Sequence, residues 1–228
     1  MNFSSDDLAI VLLSLKIAIA ATLASAPLAI VVSLLLARKR FWGHSLVNAA
    51  VHLPLVLPPV VTGLLLLRTF GHRGVIGAWL ESHLGIVFAF RWTGAALAAA
   101  VMGFPLMVRA MRLAIENVDP RLEDAAASLG ANRTWRILTI TLPLAAPGII
   151  AGMILAFAKS LGEFGATITF ASNIPGETQT ISTAVYALLH DPSGDAQAMR
   201  LVWISVVVSF AAIAASEALA RRSRREPR

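Results

Sequence analysis

Five stretches of the chain run through Ala, Val, Ile and Leu almost without interruption, and polar or charged residues bound each of them. A helix needs about 20 apolar residues to cross the ~30 Å of a bilayer's hydrocarbon core. On that measure the pattern predicts spans over about 17–37, 45–67, 92–108, 144–163 and 201–220 in a single membrane domain, 1–228. The second contains Pro54, Pro58, Pro59 and Gly63, tolerated in a membrane helix only where neighbouring protein satisfies the freed backbone groups, so a bent, interior helix is expected. His52, within it, is read as satisfied by a neighbouring helix, with a ligand contact as the alternative. Span three is rich in small residues (Gly94, Ala95, Ala96, Ala98, Ala99, Ala100, Gly103), as close packing in lipid requires, and belongs in the middle of the bundle. Residues 68–91 read as a loop. Residues 164–198, broken by Pro175, Gly176, Pro192 and Gly194, have no room for two more spans and read as an outer or re-entrant loop with a short helix near 181–189.

One long polar interlude carries helix signals of its own, Asp119 to Pro143. Asp119 suits an N-cap, Pro120 the first helical position, Glu123 and Asp124 the positive end of the dipole, and Gly130 the stop, which predicts a short helix over about 120–129. Leu122, Ala125, Ala126 and Leu129 then share one narrow apolar face of mostly small residues. Such a face fits closely against something else.

Composition and charge sharpen this picture. Of 228 residues 57% are hydrophobic and 14% charged, with mean hydropathy +0.74, which places the chain among integral membrane proteins. The net charge of +6 sits at the ends of apolar segments and is a signal of topology, not of nucleic-acid binding. Thirteen of the 19 Lys and Arg fall on one side: three after span one, five around the polar interlude and five in the tail. That side is expected to be cytoplasmic, with the N-terminus outside and the C-terminus inside. The acidic lead of Asp6 and Asp7 argues against a cleaved signal peptide. Without cysteine there is no disulfide or thiol-ligated centre, and the histidines show no metal-ligand spacing. No H-E-x-x-H or G-x-S-x-G occurs, so no catalytic residue is expected, and without G-x-x-x-x-G-K-[ST] the chain does not cradle nucleotide phosphates by the Walker mechanism.

Glu123-Asp124-Ala125-Ala126, then Gly130, then Ile140-x-Leu142-Pro143, resembles the EAA signature of ABC-importer permease subunits. In the strict pattern the acidic position is Asp124, six residues before the glycine, with Glu123 one residue earlier, and the choice between the two stays open. The stretches 52–67, 99–119 and 160–181 resemble the molybdate permeases of the oxyanion branch; the GEFGA and N-I-P-G run is shared with sulfate/thiosulfate permeases. The resemblance implies a type I (MetI-like) importer permease of a bacterial cytoplasmic (inner) membrane, carrying molybdate and, by analogy, tungstate. It implies a homodimer of this chain, two ABC ATPase subunits that bind ATP and Mg, a periplasmic or extracellular molybdate-binding protein, and no cofactor in the chain itself. It also implies that the interlude forms the coupling helix seated on the ATPase, through Leu122, Glu123, Asp124, Ala125, Ala126, Leu129, Gly130, Ile140, Leu142 and Pro143.

For the anion path the sequence offers Lys159 and Glu163, spaced i, i+4 so that they pair on one helix face or form a gate. Thr167, Thr169, Ser172 and Asn173 add neutral polar groups. Arg68, Arg73, Arg91 and Arg200 read as docking contacts or solvated flanks. A sulfate permease is the alternative within the family, and a passive anion channel the alternative outside it.

Overall fold

The computed structural model describes residues 5–39 and 41–224. Arg40 and the last four residues of the basic tail lie outside the described residues. The described chain is helical: α1 (Ser5–Arg38), α2 (His44–Val56), α3 (Pro59–Phe70), α4 (Val75–Leu84), α5 (Trp92–Glu116), α6 (Pro120–Ser128), α7 (Arg133–Arg136), a π-helical segment (Ile137–Thr141), α8 (Leu142–Leu161), α9 (Gly165–Phe170), α10 (Ile181–Leu188) and α11 (Asp195–Arg224). Among the described residues three helices are long and apolar enough to cross a bilayer (Asp6–Arg38, Trp92–Glu116 and Arg133–Leu161), and α2 with α3 makes a fourth if the bent pair is one span.

The centre of the bundle is α5, and the reason is steric. Along it Gly94, Ala95, Ala96, Ala98, Ala99 and Gly103 are buried, so neighbouring backbones approach closely. From α8, Gly148 meets Ala114 and Gly152 meets Met107 and Ala110, while Gly103 of α5 meets Ala156. Residues 103, 107, 110 and 114 thus face 156, 152 and 148 in reverse order, and the two helices are antiparallel. By contrast α1 runs parallel to α5. Ile17 and Ala21 pack with Ala95 and Ala99, Ala26 and Ala29 with Met107 and Val108, and Leu34 and Ala37 with Ile115 and Val118. The Ser33 hydroxyl donates to the Val108 carbonyl across this contact (3.1 Å).

The bent segment is sharper than one kinked helix: α2 and α3 meet at 113° across Leu57 and Pro58. Neither Pro58 nor Pro59 has an N–H, and the new helix restarts with Val61 and Thr62 donating to the Pro58 carbonyl. Even so the pair follows α5 from one end to the other. Asn48 near its start accepts from Arg112 (3.1 Å), and Leu66 and Phe70 near its end pack with Ala89, Ala98 and Phe170. His52 bonds the Asn48 carbonyl of its own helix (2.8 Å), so it is satisfied locally and not by a neighbour.

Three elements exceed what the apolar runs indicate. Helix α1 begins at Ser5, because Asp6 and Asp7 complement its positive end and Lys16 lies over the Trp92 ring (3.8 Å) without interrupting it. The 68–91 loop contains α4, whose Val75, Ile76, Trp79 and Leu84 are exposed. Helix α11 starts at Asp195, ahead of its apolar run, where Arg200 and Gln197 reach the fully buried Asp7 at 3.3 and 3.1 Å. Arg200 is therefore a structural partner between α1 and α11 and not a solvated flank. The loop 164–198 holds α9 and α10, the latter at the predicted place and closed by a capping box between Thr180 and Thr183.

The α5–α8 contact yields a direct expectation. A Cβ at Gly148 would collide with Ala114. Gly148→Val should therefore destabilise the purified protein by about 1–3 kcal/mol, read as a fall in thermal midpoint in detergent; an unchanged midpoint would show that the helices can separate there.

Candidate functional site

At the end of the bundle where α1 and α5 finish, the chain turns out into α6. Asp119 caps it by accepting from the Arg121 N–H (2.9 Å), and Pro120 occupies its first position. At the other end the Ala131 N–H donates to the Ala126 carbonyl and the Gly130 N–H to the Ala127 carbonyl, both at 3.0 Å. This is a Schellman closure, with Gly130 in the left-handed region at φ +85°. Nothing lies within 4 Å of a Cβ built on Gly130, so backbone conformation, not crowding, requires glycine there.

The expected apolar face points away from the bundle. Leu122 and Ala125 are exposed and Leu129 is 89% exposed. Ala126, Leu129 and Gly130 border a shallow cleft of about 370 Å³ whose other wall is Trp135. Asp124 is exposed as well. Glu123 turns the other way. Its Oε1 lies 3.0 Å from Arg38 Nη2 at the end of α1, with the two side chains only 19% and 16% exposed, and accepts from the Thr141 hydroxyl at 2.7 Å. Arg38 Nη2 also donates to the Val118 carbonyl (3.1 Å), and Arg136 Nη1 to the Glu123 carbonyl (3.3 Å). One carboxylate thus joins α6, α1 and the π segment.

The π segment has a local cause. Pro143 cannot donate an N–H, and its ring would press on the carbonyl four residues back; widening the preceding turn, with the Leu142 N–H reaching the Ile137 carbonyl, relieves this. Ile140 lies inside the widened turn and Leu142 and Pro143 open α8, so the three mark a continuous passage from α7 into α8. Of the partners that hold Glu123, Arg38 and Arg136 read in the sequence only as marks of topology, and nothing singles out Thr141. They lie 85, 13 and 18 residues from Glu123, beyond any helical spacing.

The second group of candidates gathers at the opposite end. Lys159 and Glu163 pair as their spacing predicts. Glu163 is 2% exposed, and its second oxygen accepts from the Ala166 N–H (3.1 Å), capping α9. Thr167 is buried, and the Thr169 hydroxyl donates to the Gly165 carbonyl while its Cβ lies close to Gly63 of α3. Thr169 thus belongs to the α3–α9 packing, and Thr167 is enclosed on the same short helix. Ser172 has a positive φ of 67°, and Asn173 Oδ1 is buried without a hydrogen-bond partner. No cluster of His, Cys, Asp and Glu suited to a metal occurs among the described residues.

Comparison with known proteins places this geometry. Over 215 residues the chain is 59% identical to the molybdenum transport system permease protein ModB of Escherichia coli (strain K12), covering 94% of this chain and 93% of the relative. It is 52% identical to the protein of the same name from Haemophilus influenzae, with the same coverage, and 36% identical to the sulfate transport system permease protein CysT of Escherichia coli (strain K12), covering 77% of this chain and 64% of that one. Among solved structures it resembles a chain of a bacterial ABC transporter that imports alginate (TM-score 0.74, 20% identity, 99% of this chain and 82% of that one) and one of the MetNI methionine ABC transporter (TM-score 0.69, 14% identity, 97% and 99%). With residues 14–225 matching the family throughout, the chain belongs to the binding-protein-dependent transport system inner membrane components.

Proposed function

We propose that this chain is the permease subunit of an ATP-driven importer of molybdate. The observation that carries the reading is 59% identity over 94% of the chain to a molybdenum transport permease, against 36% over 77% to a sulfate permease. In this reading ATP and Mg are bound by a separate ATPase, present in two copies on a homodimer of this chain, and a soluble binding protein delivers the anion from outside. One related alginate transporter is solved in complex with its ligand-bound periplasmic protein, which supports that arrangement by analogy of fold.

The chain crosses the membrane five times, with α1 inward, α2–α3 outward, α5 inward, α8 outward and α11 inward, placing the N-terminus outside and the C-terminus in the cytoplasm. Supporting this are the parallel course of α1 and α5, the antiparallel α8, and the positive residues gathered at the α6 end. Helix α6 is then the coupling helix. Leu122, Ala125, Leu129 and Asp124 face the ATPase, while Glu123 fastens the helix to its own permease; the exposure of the former and the enclosure of the latter support this division. Moving a two-state transporter from 1:99 to 99:1 takes about 5.5 kcal/mol of preference for one state. A helix held at both ends and latched to α1 passes such a bias on to the bundle.

At the outer end the gate reading rests on Lys159, Glu163, Ser172 and Asn173, with Thr169 in the α3–α9 packing beside them and Thr167 buried on the same helix. The strained Ser172 and the unpartnered Asn173 oxygen support a segment that rearranges during transport.

In vesicles reconstituted with the ATPase and binding protein, labelled molybdate uptake should require internal ATP and resist excess sulfate; uptake that persists without the ATPase would make the chain a passive channel. Glu123→Ala leaves Arg38 and the Thr141 hydroxyl without their shared acceptor, a loss of about 1–3 kcal/mol. Amide exchange over residues 120–141 should accordingly rise about tenfold or more, whereas Asp124→Ala should leave exchange unchanged and weaken ATPase binding. Gly130→Val forces a branched residue to positive φ at a cost of about 1–2 kcal/mol; ATP hydrolysis should continue while uptake falls, and normal uptake would show that this turn plays no part in coupling.

A further inference from the structure

A cleft of about 340 Å³ opens at the α6 end of the bundle, between the last turns of α1 and the start of the π segment. Its wall is apolar, made by Val31, Leu34, Leu35 and Ile137, and its rim carries Arg38, Lys39, Arg133 and Glu123. The rim is not electrically balanced. Glu123 is engaged by Arg38 and Thr141, and neither Lys39 nor Arg133, both exposed, has an acidic partner among the described residues. Arg38 Nε is buried and has no acceptor, although Nη2 of the same guanidinium has two.

A free inorganic anion would satisfy the cationic rim but leave the apolar wall wet. A molecule with an anionic head and a hydrocarbon tail satisfies both. Depth agrees with this: the apolar run of α1 ends at Arg38, and Trp42, 102% exposed, stands four residues further on, a ring suited to the headgroup level. We propose that this cleft binds one anionic phospholipid, its phosphodiester facing Arg38, Lys39 and Arg133 and one acyl chain lying along Val31, Leu34, Leu35 and Ile137. The leaflet rests on the reading above that this end is cytoplasmic, which makes the lipid one of the inner leaflet. Since Glu123 shares the rim, the headgroup sits against the contact that fastens α6 to α1, and an anionic lipid steadies the coupling helix.

The test uses the full chain assembled with its ATPase in nanodiscs of mixed phosphatidylglycerol and phosphatidylcholine, with retained lipid counted by native mass spectrometry. Wild type should retain phosphatidylglycerol preferentially, and millimolar inorganic phosphate should not displace it. Each basic residue facing an anionic headgroup contributes about fivefold, so Lys39→Ala combined with Arg133→Ala, both surface changes, should cut the preference on the order of twentyfold. Equal retention of the two lipids, an unchanged preference in the double variant, or displacement by phosphate would each overturn the proposal. So would a disulfide between two copies carrying Lys39→Cys, because the cleft would then be covered by a second copy of the chain. The same cysteine, in a chain that has no other, reports sidedness separately. Reaction with an impermeant maleimide only in inside-out vesicles is expected; labelling from outside would overturn the leaflet and the orientation while leaving lipid retention as an independent result.

Discussion

Close approach of α5 and α8 is the contact on which the other elements depend. Lipid chains are as apolar as leucine, so helices in a bilayer gain little from hiding apolar surface against one another and associate through fit. Here the fit comes from absent side chains: Gly103, Gly148 and Gly152 sit where a Cβ would press on Ala156, Ala114 and Met107. Once these two helices are seated, α1 fills the groove beside α5 along its full length, from Ala95 to Val118. The remaining helices add around that triple contact. Polar bonds across it are few and go to carbonyls, as with Ser33 to Val108 and Ser160 to Ala99, which fixes register without burying a charge.

The two ends of the bundle use charge differently. At one end Asp7 is wholly enclosed and bound by Arg200 and Gln197, and Glu163 by Lys159 and the Ala166 amide, so each buried carboxylate has a cation and a further donor. At the other end Glu123 is only partly enclosed and shared by three elements, beside Lys39 and Arg133, which have no acidic partner among the described residues. Such a junction fixes where α6 stands against α1 and the π segment. The adjoining π turn at Ile137–Thr141, a rare arrangement that concentrates at functional sites, leads into α8 without a break in the helix.

Helices α1, α5 and α8 were legible in the sequence because lipid imposes one strong rule, an apolar run of sufficient length, and α6 because Asp119, Pro120 and Gly130 carry conformational preferences that act locally. The Lys159–Glu163 pair was legible for the same reason, being four residues apart on one helix. What could not be read is long-range. Nothing in a pattern of period 3.6 tells that Arg38 reaches Glu123, or that Asp7 needs Arg200. Helix α4 escaped because its apolar residues face outward in a short run that matches neither a span nor a soluble amphipathic helix. The prolines of the second span announced a bend but not its size, since the angle depends on where α9 receives α3, through Gly63 against Ala166 and Thr169.

That bend divides the molecule mechanically. Helices α5 and α8 continue as helix over 25 and 20 residues although each carries an internal proline, Pro105 and Pro147. The α2–α3 pair, interrupted at 113°, is a compliant joint with no rod through it. Its first half answers to Asn48 and Arg112 at one end of α5, its second half to Phe170 and Ala166 at the other. The α3–α9 unit does not hang free of the bundle beyond that joint: Phe170 and Leu66 pack on Ala98 and Met102 of α5, so the break lets the second span change direction while both of its halves stay seated on the same helix.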